Sequence, residues 1–328
     1  MTLILLAVIA LALFFDFLNG VHDSSNIVAT MISSRAFSPA AALGVTAVAE
    51  FSGPFIFGVA VANTIGHEIV NPLAVSMPVI IAALLSAILW DLLTWFLGFP
   101  SSSSHALIGG IVGAVLMGAG PRAMKLPGLE KVLVALLTSP VIGFVVGFVL
   151  LKLILVLSWN ATPRINAFFK RSQILTGLAL ALSHGTNDSQ KTMGVITLTL
   201  VSAGYLKVFA VPLWVVFLCA SMIALGTGVG GWRLIRTLGG KIFKIRPVDG
   251  FTSQLASASV IITASLFGGP VSTTQVVSSA IMGTGAAERA NKVRWGVAQE
   301  IALAWLLTIP ASALVAAGLY WILVRLVR

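Results

Sequence analysis

Two largely apolar runs, Leu3 to Phe15 and Ile27 to Ile32, flank the polar stretch Asn19-Gly20-Val21-His22-Asp23-Ser24-Ser25-Asn26. A carboxylate inside a segment otherwise fit for lipid is expensive. Even the lenient insertion scale sets about 2.5–3.5 kcal/mol against an ionised side chain at the bilayer centre. The stretch returns as Ser183-His184-Gly185-Thr186-Asn187-Asp188-Ser189-Gln190-Lys191, with Gly20 in register with Gly185 and Asp23 with Asp188 at a spacing of 165. A chain that repeats so costly a feature is a duplicated chain, and each copy constrains the fold of the other.

Composition sets the solvent. Of 328 residues, 58% are hydrophobic and 9% charged, whereas a soluble domain carries roughly 25% charged residues. The fold class read from this is an all-α integral membrane protein. A net charge of +10 would suggest nucleic acid in a soluble protein. Here the Lys and Arg residues fall between apolar runs, where they set orientation, and no nucleic acid is expected as a partner. Cys219 is the single cysteine and can form no intrachain disulfide. The first apolar run has no preceding positive charge and no small-residue cleavage site, so it is expected to be a membrane helix rather than a removed signal peptide.

Candidate spans are 2–33 (broken near 16–26), 41–63, 78–97, 105–119, 131–157, 173–202 (broken near 183–191), 208–230, 249–267, 275–285 and 295–323. Crossing takes about 20 residues, so 105–119 and 275–285 are too short. Each follows a helix and a polar tip, Gly98-Phe99-Pro100-Ser101-Ser102-Ser103-Ser104-His105 and Gly268-Gly269-Pro270-Val271-Ser272-Thr273-Thr274-Gln275. A helix, a Gly/Pro/Ser/Thr tip and a short returning helix describe a re-entrant hairpin, whose irregular backbone must be buried in protein or line a cavity. The tips repeat at a spacing of 170, Pro100 with Pro270 and His105 with Gln275, as does Leu137-Thr138-Ser139-Pro140 with Leu307-Thr308-Ile309-Pro310. The expected organisation is a first repeat at 1–157, a cytoplasmic linker at 158–172 and a second repeat at 173–328.

Loop charge makes the repeats inverted. Loop 64–76 carries no Lys or Arg, only His67 and Glu68, while its counterpart 231–247 carries Arg233, Arg236, Lys241, Lys244 and Arg246 and no acid. Equivalent loops of opposite bias belong on opposite sides of the membrane. With 231–247 in the cytoplasm, Arg35, Lys152, Arg164, Lys170, Arg171, Arg289, Lys292 and Arg294 join it, and both termini lie outside. The tryptophans Trp90, Trp95, Trp159, Trp232, Trp295 and Trp321 sit near span ends, as an interfacial belt does.

Packing two inverted repeats about an axis in the membrane plane brings four polar stretches together. The hairpin tips offer helix N-termini, with free N–H groups and partial positive charge, and rotatable hydroxyls; both suit a tetrahedral oxyanion. The carboxylates cannot ligate that anion directly, but they can hold a cation that neutralises both. Cation-coupled anion transport is therefore expected, rather than an anion channel, whose permeant ion the paired aspartates would repel. Ser101 to Ser104 and Ser272 to Thr274 also suit helix capping, and Asp188 with Lys191 suits an i, i+3 ion pair. His22 and His105 read as hydrogen-bonding helpers rather than metal ligands, or as proton relays. Asp16 lies close to the helix face of Asp23, Glu50 is a further candidate, Asp91 sits on a hairpin arm and Glu300 near a span end. A hydrolase built on Ser104 and His105 is disfavoured, because adjacent residues at a helix start do not easily face each other; the chain is not expected to be an enzyme.

These residues resemble the Pit-type inorganic phosphate transporter family, whose duplicated Gly-x-(Asn/His)-Asp-x-x-Asn signature is matched by Gly20 to Asn26 and, in its second copy, by Ser183 to Lys191. Its hairpin motif resembles Pro100 to His105 and Pro270 to Gln275, and Ala304 to Pro310 is also similar. The resemblance spans both halves. It implies a secondary transporter in the cell (inner) membrane, importing inorganic phosphate by symport with Na⁺ or H⁺, with no other cofactor. It implies anion contacts at Ser102, Ser103, Ser104, Ser272, Thr273 and Thr274. It assigns cation coupling, with Na⁺ as one candidate metal ion, to Asp23, Asn26, Asn187 and Asp188, with His22 in coupling and His105, Gln275, Gln190, Lys191 and Glu50 in support. A homodimer in membrane lipid is implied in the same way. The chain departs from the family at Gln275, where His is usual, and at His22, where sodium-coupled members often carry Asn. The short linker favours a bacterial or archaeal member. Some short members carry sulfate, and a sulfate–proton symporter is the alternative reading.

Overall fold

The computed structural model describes residues 2–99, 101–230 and 245–327. Pro100, Trp232 and the loop residues Arg233, Arg236, Lys241 and Lys244 lie outside them, as does Arg328. Among the described residues the fold is all helical, with one isolated antiparallel bridge between Val70 and Met124. The first half holds α1 (Leu3–Ser33), α2 (Pro39–Phe57), α3 (Met77–Leu97), α4 (Ser103–Gly118) and α5 (Leu126–Leu157). The second holds α6 (Ile165–Ser202), α7 (Leu213–Val229), α8 (Pro247–Leu266), α9 (Thr273–Glu288) and α10 (Trp295–Val327). Each helix has its equivalent five places along.

The packing follows that equivalence. Helix α1 lies on α7 while α2 lies on α6, and α4 lies on α10 while α9 lies on α5. Such reciprocal exchange is what a two-fold relation between halves produces. The residues nearest the axis meet their own counterparts: Gln275 Nε2 lies 3.4 Å from His105 Nε2, across the spacing of 170. The two halves have the expected inverted-repeat organisation; most of the loop 231–247, whose charge entered that expectation, lies outside the described residues.

Helices α4 and α9 have 16 residues each, about 24 Å at 1.5 Å per residue, short of a hydrocarbon core of about 30 Å. Each packs against the helix before it, α3 or α8, as the expected hairpin. Helix α3 stops because Gly98 takes the left-handed conformation (φ 74°) and its N–H bonds back to Trp95. Helices α4 and α9 then start on the side chains of Ser102 and Ser272, which accept from the backbone N–H of His105 and Gln275. At the base of the second hairpin Lys292 holds both Asp249 (3.1 Å) and Glu288 (2.6 Å), and Arg246 pairs with the same two acids.

Three expectations need correction. The polar stretches do not break their helices: α1 runs through 16–26 and α6 through 183–191 without interruption. Their polar side chains find partners on other elements, so the backbone keeps its own ladder. The glycines there serve close packing instead. A Cβ on Gly20 would collide with the carbonyl of Ile223, and one on Gly185 with that of Glu50. The same contacts are made in reverse by Gly226 against Phe17 and by Gly53 against Leu182. The break falls elsewhere: the expected span 41–63 ends at Phe57, where Gly58 turns the chain (φ 80°), and a short helix, Ala60–Asn63, runs on into a single wide turn, Thr64–Glu68. Finally, α6 begins at Ile165, inside the expected linker, because Lys170 and Arg171 can point to solvent from its first turns.

Apolar packing divides into two large clusters. One gathers Leu5 to Phe15 of α1 with Met193 to Leu200 of α6; the other gathers Ile27 and Ala29 of α1 with Leu180 and Ala181 of α6. Between them lies a layer of buried polar side chains at the midpoints of both helices.

Gly20→Ala, whose new methyl meets backbone, is expected to destabilise the fold by about 1–3 kcal/mol. Gly44→Ala, with nothing within 4 Å of the added Cβ, is expected to be neutral or stabilising by up to ~1 kcal/mol. Thermal unfolding of the purified variants in detergent measures both.

Candidate functional site

The polar layer forms where the midpoints of α1 and α6 meet the N-termini of α9 and α4. Asp23 and Asp188 are its centre, with relative exposures of 1% and 0%. The hydroxyl of Thr273 bridges them, 2.8 Å from Asp188 Oδ2 and 3.3 Å from Asp23 Oδ2. Carboxylates buried this completely keep their charge only with positive charge beside them.

Around each aspartate the surroundings repeat. On the first, Asn26 Nδ2 donates to Asp23 Oδ1 at 3.0 Å and to Thr274 Oγ at 2.9 Å, while Thr274 Oγ donates to Asp23 Oδ1 at 2.8 Å. On the second, Lys191 Nζ donates to Asp188 Oδ1 and to Ser104 Oγ. Lys191 is the counterpart of Asn26, and Ser104 that of Thr274. Each aspartate is thus tied by the residue three places on to the hairpin tip of the opposite repeat. Lys191 Nζ reaches a third oxygen, Val271 O at 2.9 Å, so all three ammonium protons are used. Ser103 Oγ donates to Asn19 Oδ1 at 2.7 Å and lies 3.5 Å from Asp23 Oδ2.

The structure separates the expected site residues into three groups. Asp23, Asn26, Asp188, Lys191, Ser103, Ser104, Thr273 and Thr274 converge. His22 joins them, with Nδ1 at 3.0 Å from Asp23 Oδ1. Ser102 and Ser272 cap their helices, and Ser102 Oγ also sits 2.7 Å from His105 Nδ1. Asn187 and Gln190 work at a distance. Asn187 Nδ2 bonds Ser265 Oγ (2.7 Å) and Gly269 O (3.3 Å), fixing the approach to the second tip. Gln190 accepts from the N–H groups of Val61 and Ala62 and donates to Gly58 O, satisfying the backbone freed where α2 ends. Asp16 is buried against Thr192 and Cys219, within electrostatic reach of Asp188, His184 and Lys191.

The residue that sequence reasoning passed over is His184. Its Nε2 lies 2.9 Å from Asp188 Oδ2 and 3.7 Å from Asp23 Oδ2, and its Nδ1 lies 2.8 Å from Glu50 Oε1. It joins Glu50 on α2 to both aspartates. The i, i+4 spacing to Asp188 on a helix was the available signal, hidden by the expectation that the helix breaks there. Asp23, His184 and Asp188 bring ligand atoms within 4.8 Å of one another, close enough to share one cation.

Comparison with known proteins identifies a family and a fold that this chain matches. A family model described as "Phosphate transporter family" matches residues 19–164 and again 158–316. A relative from Bacillus subtilis (strain 168), described as "Probable low-affinity inorganic phosphate transporter", is 45% identical over 98% of this chain and 96% of its own length. One from Rhizobium meliloti (strain 1021), with the same description, is 46% identical over 97% of this chain and 96% of its own. Among solved structures, "The sodium-dependent phosphate transporter" superposes with a TM-score of 0.91 at 26% identity, covering 98% of this chain and 99% of that one.

Gln190→Ala strands the Val61 and Ala62 amides and is expected to destabilise the protein by about 1–3 kcal/mol. Because Gln190 stands apart from the aspartates, its effect is expected in the unfolding midpoint and not in ligand affinity, measured on the same purified sample.

Proposed function

The chain belongs to the phosphate transporter family, and we propose that it imports inorganic phosphate across the cell (inner) membrane by symport with a monovalent cation, Na⁺ or H⁺. The observation that carries this reading is the pair of buried carboxylates, bridged by one hydroxyl, at the foot of two helix N-termini. Phosphate would take the backbone N–H groups at the starts of α4 and α9 and the hydroxyls of Ser103, Ser104, Thr273 and Thr274. Ser102 and Ser272 support it by capping those helices. The aspartates would repel the anion unless a cation lies between, so anion and cation enter together or not at all. Asp23 with Asn26, and Asp188 with Asn187 nearby, supply the cation side; His22 and His184 offer sites for a relayed proton.

Movement follows from the packing. The hairpins α3–α4 and α8–α9 close on α1 and α6 through side-chain hydrogen bonds, while the glycine contacts of α2 and α7 hold rigid backbone against backbone. Breaking and remaking the tip contacts on one side at a time would alternate access to the polar layer. Each repeat, 1–157 and 173–328, would supply one gate.

The test is uptake of radiolabelled phosphate into proteoliposomes, with Na⁺ and pH gradients imposed separately. Uptake above the level of empty liposomes is expected under one of them, with excess phosphate competing and sulfate not. Asp23→Asn and Asp188→Asn are expected to fall to background while still reconstituting; wild-type uptake in both would overturn the site. Accumulation of sulfate in place of phosphate would overturn the substrate.

A further inference from the structure

At the position three places after each aspartate, the two halves of the polar layer differ by one charge. At the first, the residue three places after the aspartate is Asn26, a neutral amide. Its Nδ2 must face Asp23 Oδ1, because a carboxylate oxygen only accepts, so its Oδ1 is turned away. That Oδ1 is buried and accepts no hydrogen bond from the described residues. Around the first aspartate, then, are carboxylate and hydroxyl oxygens and the neutral amide of Asn26, whose own oxygen is left over. At the second, the equivalent residue is Lys191, 2% exposed, whose ammonium takes the aspartate, the opposite hairpin's hydroxyl and a backbone carbonyl. The ammonium thus collects hard oxygen donors, the ligand type that a small hard cation takes.

We propose that Lys191 is a tethered cation: its ammonium permanently fills the second of two pseudo-equivalent cation positions, so that only the position formed by Asp23, Asn26 and Thr274 takes a cation that moves with the anion. This rests on the symport reading above and adds to it the number of coupling cations and the residue that sets it. The ammonium also locks a gate: it joins α6 to Ser104 at the first hairpin tip and to Val271 beside the second, so both tips answer to one fixed charge.

The experiment exchanges the two residues. Lys191→Asn copies the first position into the second, and Asn26→Lys copies the second into the first. For each purified variant two quantities are read: charge moved per phosphate, from reversal potentials in proteoliposomes, and ²²Na⁺ bound per protein in detergent, which needs no phosphate. Lys191→Asn is expected to move about one more positive charge per phosphate and to bind about one more Na⁺, by direct replacement of a tethered charge. Asn26→Lys is expected to shift the charge the other way. Unchanged charge and unchanged Na⁺ binding in a monodisperse Lys191→Asn protein would overturn the inference. So would an unchanged value in Asn26→Lys, should that be the variant that folds. Where neither single variant is monodisperse, the double exchange, which conserves the layer's charge, is expected to fold and to match the wild type; its failure to fold overturns the equivalence. Absence of phosphate uptake in the wild type would overturn the symport reading instead, and Na⁺ binding would still decide the role of Lys191.

Discussion

Everything in this fold answers to one electrostatic demand: two carboxylates, Asp23 and Asp188, held at the middle of a membrane protein with almost no exposure. Neither lipid nor a bare helix can carry them. The chain meets the demand by placing each in the centre of a long helix, where the backbone needs no outside partner, and by surrounding the pair with partners from α1 and α6 themselves and from the starts of α4 and α9. The two apolar clusters on either side then act as insulation, keeping the polar layer thin and placing it midway along α1 and α6. The hairpins exist to deliver hydroxyls to this layer. A full-length span could present only a helix side there; a short helix that starts inside the membrane presents its N-terminus, with unpaired amides and a partial positive charge.

Close packing makes the arrangement specific. In a bilayer, helices gain little from apolar contact with one another, so backbone must approach backbone. The glycines at positions 20, 53, 185 and 226 allow α1 to seat on α7 and α2 on α6, each closing on a carbonyl of the partner. The signature glycines are therefore part of the scaffold, while the aspartates one turn on are part of the site. One sequence motif does two jobs on two faces of the same helix.

Much of this was legible before any coordinates. Residue spacing alone revealed the duplication, and the short helices 105–119 and 275–285 announced the hairpins. Of the site, Asp23, Asn26, Asp188 and the tip hydroxyls could be named because charge and hydroxyls are anomalous in lipid. What stayed hidden was satisfaction. A polar stretch in a helix reads as a break when its partners are unknown, and Ser103, Thr273 and Thr274 become partners only through contacts 80 or more residues away. His184 was missed for the same reason, and Gln190 was taken for a site residue because nothing local shows that it closes the turn at Gly58.

The mismatch of the two halves has a kinetic meaning. Were the repeats identical, the outward-open and inward-open forms of the cycle proposed above would be related by the two-fold rotation and equal in free energy, and the protein would treat the two sides of the membrane alike. In this chain Asn26 is the counterpart of Lys191, His22 of Asn187, Asn19 of His184 and His105 of Gln275. Each difference weights one form against the other. In the symport proposed above, the gradients would supply the overall driving force, and these unmatched pairs would set the resting orientation and the apparent affinity on each face. Sidedness is thus written into a handful of positions where a duplicated chain has stopped agreeing with itself.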